Sequence, residues 1–146
     1  MIVDANILLY AVDVTSPWHE RAEAWLTRSL RGSRRVGLPW QSLGAFARLS
    51  TNPRLFPQPL TPEKVSETVD TWLASPAVWV PAATATTWRI YSRLSMEHQV
   101  TGNGVPDAQL AALALEYGVA VVSADSDFVR FTEVRWINPL TERTEA

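Results

Sequence analysis

The sequence predicts an α/β fold with a mostly parallel sheet covered on both faces. Short apolar, β-branched runs alternate with longer stretches whose apolar residues recur at helical spacing, the pattern of a sheet crossed repeatedly by helices. In addition, three segments run straight from apolar residues into aspartate: Ile2-Val3-Asp4-Ala5-Asn6, Val105-Pro106-Asp107-Ala108, and Val121-Val122-Ser123-Ala124-Asp125-Ser126-Asp127-Phe128. Parallel sheets gather their working residues in this way, just past the carboxyl ends of strands.

Taken in order, Met1–Val3 reads as a strand, and Asp4 caps a helical turn through Leu8-Leu9-Tyr10. Ser16-Pro17 is a helix-start pair, with an N-cap followed by proline. It opens a helix to about Leu30 that buries Trp18, Ala22, Trp25 and Leu26. Val36-Gly37-Leu38 is a second strand, followed by a helix over Trp40–Ser50 and a proline-rich connection from Thr51 to Pro59. Thr61-Pro62 opens a helix with Val65, Val69 and Trp72 on one face, and Ser75-Pro76 ends it. Val78-Trp79-Val80 is a third strand. A helix from Thr84 to about His98 follows, with Trp88, Tyr91 and Leu94 or Ser95 inward. After the Gly102-Asn103-Gly104 loop, Pro106–Tyr117 is a helix with Leu110, Ala111, Leu113 and Ala114 as core, stopped by Gly118. Val119–Val122 is a buried strand, Ser126–Phe131 a helical turn and Val134–Ile137 a last strand. Residues 1–146 read as a single domain whose polar tail frays from about residue 138.

Composition bounds the function. The hydrophobic fraction of 47% suits a globular protein, and the absence of cysteine excludes disulfides and thiolate metal sites. No run approaches the ~20 apolar residues of a membrane span. Asp4 and Asp13 interrupt the N-terminal apolar stretch, which also lacks a basic lead-in. The expected location is therefore the cytoplasm, without membrane attachment. A net charge of −2 gives no whole-molecule attraction to nucleic acid. Lys64 is the only lysine among the 13 basic residues, the rest being arginine, the side chain better suited to bidentate phosphate contacts.

The chemistry is expected from Asp4, Asp107, Asp125 and Asp127. Carboxylates gathered in one cleft repel one another unless a cation neutralises them, and hard cations such as Mg²⁺ or Mn²⁺ take oxygen ligands. Two such ions about 3.5–4 Å apart can activate a water and stabilise a leaving oxygen in phosphodiester cleavage. Read singly, Asp4 and Asp107 are good helix-start residues and Asp125 and Asp127 are turn formers; their joint placement at strand ends favours a metal pocket. A receiver-type signalling domain would need a lysine after a late strand, whereas Lys64 lies in an internal helix.

These residues resemble a known family. Asp4-Ala5-Asn6, the Asp107-Ala108-x-Leu-Ala-Ala-Leu-Ala helix and Ser123-x-Asp-x-Asp-Phe are similar to a PIN domain, and more narrowly to the VapC ribonuclease toxins of VapBC toxin–antitoxin systems. Leu38-Pro39-Trp40-Gln41 with Phe46 and Arg48, then Thr51-Asn52-Pro53-Arg54, Gly102-Asn103 and Trp136-x-Asn138-Pro139-Leu140, resemble a subgroup common in mycobacteria. The resemblance implies a three-layer α/β/α sandwich and Mg²⁺- or Mn²⁺-dependent cleavage of tRNA or rRNA by a metal-activated water. It also implies a homodimer and inhibition by a VapB-type antitoxin. Carried across, Asp4 matches the first metal ligand, Asp107 the third acid, and Asp125 and Asp127 the fourth acidic position, between which the sequence does not choose. Asn6 and Ser123 match polar residues that line the pocket.

Gln41 departs from the pattern, since PIN domains usually place a glutamate there. Its neutral carbonyl oxygen is a weaker ligand for a hard cation and no general base. It supports the alternative of a catalytically weak or inactive PIN-like module that binds RNA or protein. Arg48 lies two helical turns beyond Gln41, on the same face, and suits a phosphate contact. Trp40 is placed to stack on a base, against a default reading of core packing or contact with a protein partner. His19 and His98 read as surface residues.

Overall fold

The computed structural model describes residues 1–141. Five strands, β1 (Ile2–Val3), β2 (Val36–Gly37), β3 (Val78–Trp79), β4 (Val121–Val122) and β5 (Trp136–Ile137), form one sheet in the order β3-β2-β1-β4-β5, with every pair parallel. Six helices lie between them: α1 (Ala5–Val12), α2 (His19–Arg31), α3 (Trp40–Ser50), α4 (Pro62–Leu73), α5 (Ala85–His98) and α6 (Val105–Tyr117). The order of strands and helices is the one the sequence predicts. From β1 the chain steps outward through β2 to β3, then crosses to the other side of β1 for β4 and β5. The switch point of such a sheet, where ligands bind, lies between β1 and β4.

Register sorts the core into two layers. Ile2 pairs with Val121 and Val3 with Val122, so alternate residues of both central strands face opposite sides. Val3 and Val122 pack with Ile7, Leu8, Leu26, Leu43, Phe46 and Trp72 from the first four helices. Ile2 and Val121 pack with Leu94 of α5, with Leu110 and Leu113 of α6, and with Phe128 and Phe131. The sheet is thereby covered on both faces, as a three-layer α/β/α sandwich requires.

Local chemistry sets the helix bounds. Thr61 accepts from the Lys64 amide ahead of Pro62, and Thr84 forms a reciprocal capping box with Thr87 at the start of α5. Gly118 ends α6 at φ 66°, a left-handed conformation that glycine adopts without steric cost. Residues 110–114 of α6 are buried without interruption, the signature of a helix covered on all sides.

Three expectations need correction. The second helix starts at His19, with Trp18 as its cap and 38% exposed, because the Ser16 hydroxyl accepts from the Trp18 amide and holds the residues before it in a turn. Trp88 is 65% exposed, and α5 turns Thr87 inward in its place, while Leu94 is buried as expected. The cause is a polar anchor: Thr84 and Thr87 both donate to the Glu116 carboxylate, which holds Thr87 inward. Chain order also persists beyond residue 138. Leu140 is buried, and its carbonyl accepts from Arg21 Nη1 at 2.6 Å; the remainder of the expected tail, 142–146, lies outside the described residues.

Phe46 is fully buried, with its ring 4.9 Å from that of Trp72. Phe46→Ala is expected to cost about 3–5 kcal/mol, read from the shift of a urea unfolding curve. A loss below about 1 kcal/mol would mean that this layer collapses around the cavity.

Candidate functional site

The Asp4 amide donates to the Val122 carbonyl at 2.9 Å, and the Ser123 amide to Ile137 at 3.0 Å. These bonds hold both residues at the carboxyl edge of the sheet, on either side of the switch point. Asp4 caps α1: its Oδ1 accepts from the Ala5 amide at 2.7 Å. Its Oδ2 accepts from Ser123 Oγ at 2.7 Å and from Asn6 Nδ2 at 3.3 Å. Asn6 Nδ2 also donates to Ser123 Oγ at 3.0 Å, and Asn6 Oδ1 accepts from the Ala124 amide at 3.1 Å. Ser123, fully buried, accepts in addition from the Asp125 amide at 3.0 Å. One bond donated and two accepted use the whole capacity of a hydroxyl. Asp4, Asn6 and Ser123 thus form a closed knot between segments more than a hundred residues apart.

Asp107 stands in the first turn of α6. Asp125 caps the 3₁₀ turn Ser126–Arg130 by accepting from the Asp127 amide at 2.8 Å. One carboxylate oxygen from each of Asp107, Asp125 and Asp127 lies within 4.8 Å of the others. Asp4 stands just outside this trio, with its oxygens engaged by the knot. The electrostatics couple all four. Burial pushes Asp107 up to about 7, helped by the charges of Asp125, Asp4 and Asp127 and opposed by Arg130. Burial also raises Asp4, and the charge of Asp125 adds to it, against the Ser123 hydroxyl and the Ala5 amide. Such mutual repulsion is what a bound cation relieves. An all-carboxylate donor set matches Mg²⁺ or Mn²⁺ rather than a soft metal, so the residues present fit a hard divalent ion.

Gln41 is exposed and lines a cleft of about 290 Å³ with Thr84, Trp88, Tyr91 and Gln109, whose lining includes none of the four aspartates. Arg48 is exposed further along α3. Trp40 is 79% exposed, which rules out core packing for it. The histidines are more engaged than expected: His19 meets the Tyr10 carbonyl and Glu23, and His98 pairs with Glu133 at 3.0 Å.

Arg130 escapes a reading of the sequence for acids. Its guanidinium donates to the His98 carbonyl at 2.6 Å and bears on the charge of Asp107. Its place three residues after Asp127, on a turn aimed at the same cleft, was the available signal.

The PIN domain family profile matches residues 1–134. Ribonuclease VapC37 of Mycobacterium tuberculosis is 46% identical over 138 residues, which span 94% of this chain and 96% of that protein. VapC ribonuclease Mb2897 of Mycobacterium bovis is 35% identical over 144 residues, 99% of this chain and 98% of that protein. Among solved structures, VapBC2 of Rickettsia felis bound to a promoter DNA fragment superposes with a TM-score of 0.69 at 16% identity, covering 94% of this chain and 96% of that one. FitAcB of Neisseria gonorrhoeae does so at 0.63 and 18% identity, covering 97% and 99%. The structural likeness establishes the fold, while the sequence match, sustained along almost the full length of each relative, establishes the lineage: the chain belongs to the PIN domain family and, within it, to the VapC group.

Proposed function

We propose that this protein is the toxin of a type II toxin–antitoxin pair, a metal-dependent endoribonuclease that cleaves structured cellular RNA at tRNA or rRNA loops. The observation that carries this reading is the convergence of Asp107, Asp125 and Asp127, with Asp4 beside them, at the switch point of the sheet, in a chain 46% identical to a protein named as a ribonuclease. Loops are favoured as substrate because they present splayed bases and a bendable backbone.

Asp107, Asp125 and Asp127 would hold the Mg²⁺ or Mn²⁺ ion, and Asp4 would add charge from its fixed position. When bound, the ion supplies positive charge to the phosphodiester and activates a water for attack on phosphorus. Asn6 and Ser123 keep the Asp4 carboxylate in one orientation and tie the backbone of residues 124–125 to it. Arg48 and Trp40 are exposed on α3 and available to RNA, Arg48 for a phosphate and Trp40 for a base. The neighbouring structures include VapBC and other toxin–antitoxin complexes, which supports a VapB-type antitoxin as partner. A homodimer working in the cytoplasm completes the proposal; among the described residues no helix is long and apolar enough to cross a membrane.

Gln41, which adds no charge where a glutamate is usual, favours a second reading, a PIN-like binding module without catalysis. Titration calorimetry with Mn²⁺ separates the two. The enzyme reading expects saturable binding at or below millimolar metal, lost in Asp107→Ala, together with new RNA ends after a pulse of expression. No heat at millimolar Mn²⁺ and no new ends would leave the binding module.

A further inference from the structure

The cleft between the start of α3 and the outer face of α5 has none of the four aspartates in its lining, and its walls have a chemistry of their own. Trp88 is 65% exposed, yet its ring is propped against Tyr91 with centroids 5.3 Å apart and planes inclined by 36°. The indole is therefore a supported platform facing solvent. Gln41 enters from α3 and Gln109 from α6, so two carboxamides share the cleft with that platform. Neither amide has a hydrogen-bond partner among the described residues. No charged side chain lines the cleft. Its volume of about 290 Å³ is just below the roughly 300–1,000 Å³ range of small-molecule pockets, a size for one ring system rather than a whole nucleotide.

We propose that this cleft is a nucleobase subsite, in which Trp88 stacks on one base of the RNA and Gln41 and Gln109 read its edge. An aromatic face suits any base. A carboxamide offers a donor and an acceptor side by side, the pairing that base edges present. The uncharged lining excludes a phosphate as the natural occupant. A copy of this chain would call for an apolar interface core without two free amides at its centre. The cleft and the candidate catalytic site share the first turns of α6, where Gln109 follows Asp107 by two residues, and Ser42, next to Gln41, donates to the carbonyl of Val3, next to Asp4, at 2.7 Å. RNA lying across the acids therefore has a neighbouring nucleotide within reach of the cleft. The inference rests on the ribonuclease reading for the identity of the polymer.

The test uses the full chain in EDTA and fluorescently labelled hexamers of rA, rC, rG and rU, with affinity read by anisotropy. Trp88→Ala is expected to weaken binding of all four by about tenfold, with Trp88→Phe recovering most of it. Gln41→Ala and Gln109→Ala are expected to change the ranking of the four bases instead. Trp88→Ala binding within about twofold of the parent protein would overturn the subsite. So would a shift from dimer to monomer in light scattering on that substitution, which would make the face an interface between copies. If the parent protein binds hexamers through Trp88 yet cuts no RNA with Mg²⁺ or Mn²⁺, the subsite stands and the ribonuclease reading falls.

Discussion

Asp107→Asn is expected to abolish RNA cleavage and, at the same time, to make the metal-free protein more stable at pH 8. The activity loss, on the order of a hundredfold or more, follows from removing one of the three converging carboxylates. The stability gain follows from the sign of the titration. Asp107 ionises near 7 in the folded chain against an ordinary value of 3.8. Between those values the native state holds a proton that the unfolded state has lost, so stability falls as pH rises through this window and levels off above it. No hydrogen bond to the Asp107 carboxylate offsets the repulsion among the described residues. The favourable pull of the α6 N-terminus on an acid is only about 0.3–1 kcal/mol. Asparagine removes the charge and most of the slope. Because the group is half-exposed and screened, the gain at pH 8 is set at about 1 kcal/mol. Urea unfolding in EDTA at pH 5 and pH 8 measures it. Adding Mg²⁺ should restore stability to the parent protein at pH 8 by mass action and leave the variant unmoved. A variant less stable at pH 8 than its parent would refute the electrostatic account.

Asp4→Ala is expected to lose cleavage to a similar degree but to move stability the other way. The Asp4 carboxylate accepts from the Ala5 amide, the Ser123 hydroxyl and the Asn6 amide. Alanine leaves all three donors without that acceptor and removes a helix cap, a loss of about 0.5–2 kcal/mol for the cap alone, with more for stranded donors in a partly buried site. Relief of repulsion from Asp125 offsets part of this, and a net destabilisation of about 1–2 kcal/mol remains. Thermal melts together with an RNA cleavage assay check both halves. Full cleavage by Asp4→Ala would remove Asp4 from the acidic set, and unchanged stability would mean the knot re-forms without it.

Much of the fold was legible because its punctuation is local. Thr61-Pro62, Thr84, Pro106 and Gly118 mark helix ends by chemistry within a few residues of each boundary. What the sequence hid depends on distant partners. Periodicity favours the larger apolar Trp88 as inward, but Glu116, about thirty residues away, selects Thr87. Leu140 looked like part of a polar tail until Arg21 supplied a donor to its carbonyl. The acidic set was visible because strand ends gather residues by topology. The division of labour within it was not visible: Asp4 is tied into a hydrogen-bonded knot, whereas Asp107, Asp125 and Asp127 face one another. That difference needs the β1–β4 pairing and the side-chain directions that follow from it.

The β1–β4 pairing also has a consequence in time. Synthesis runs from the N-terminus, so Asp4 is made more than a hundred residues ahead of Ser123, Asp125 and Asp127. Until β4 docks beside β1, the first aspartate lacks the hydroxyl that orients it, and Asp107 lacks two of its three acidic neighbours. A nascent chain halted before residue 121 has most of its helices and none of the completed acidic cleft. The fold thereby delays the assembly of its own chemistry until β4 has been made and has docked beside β1.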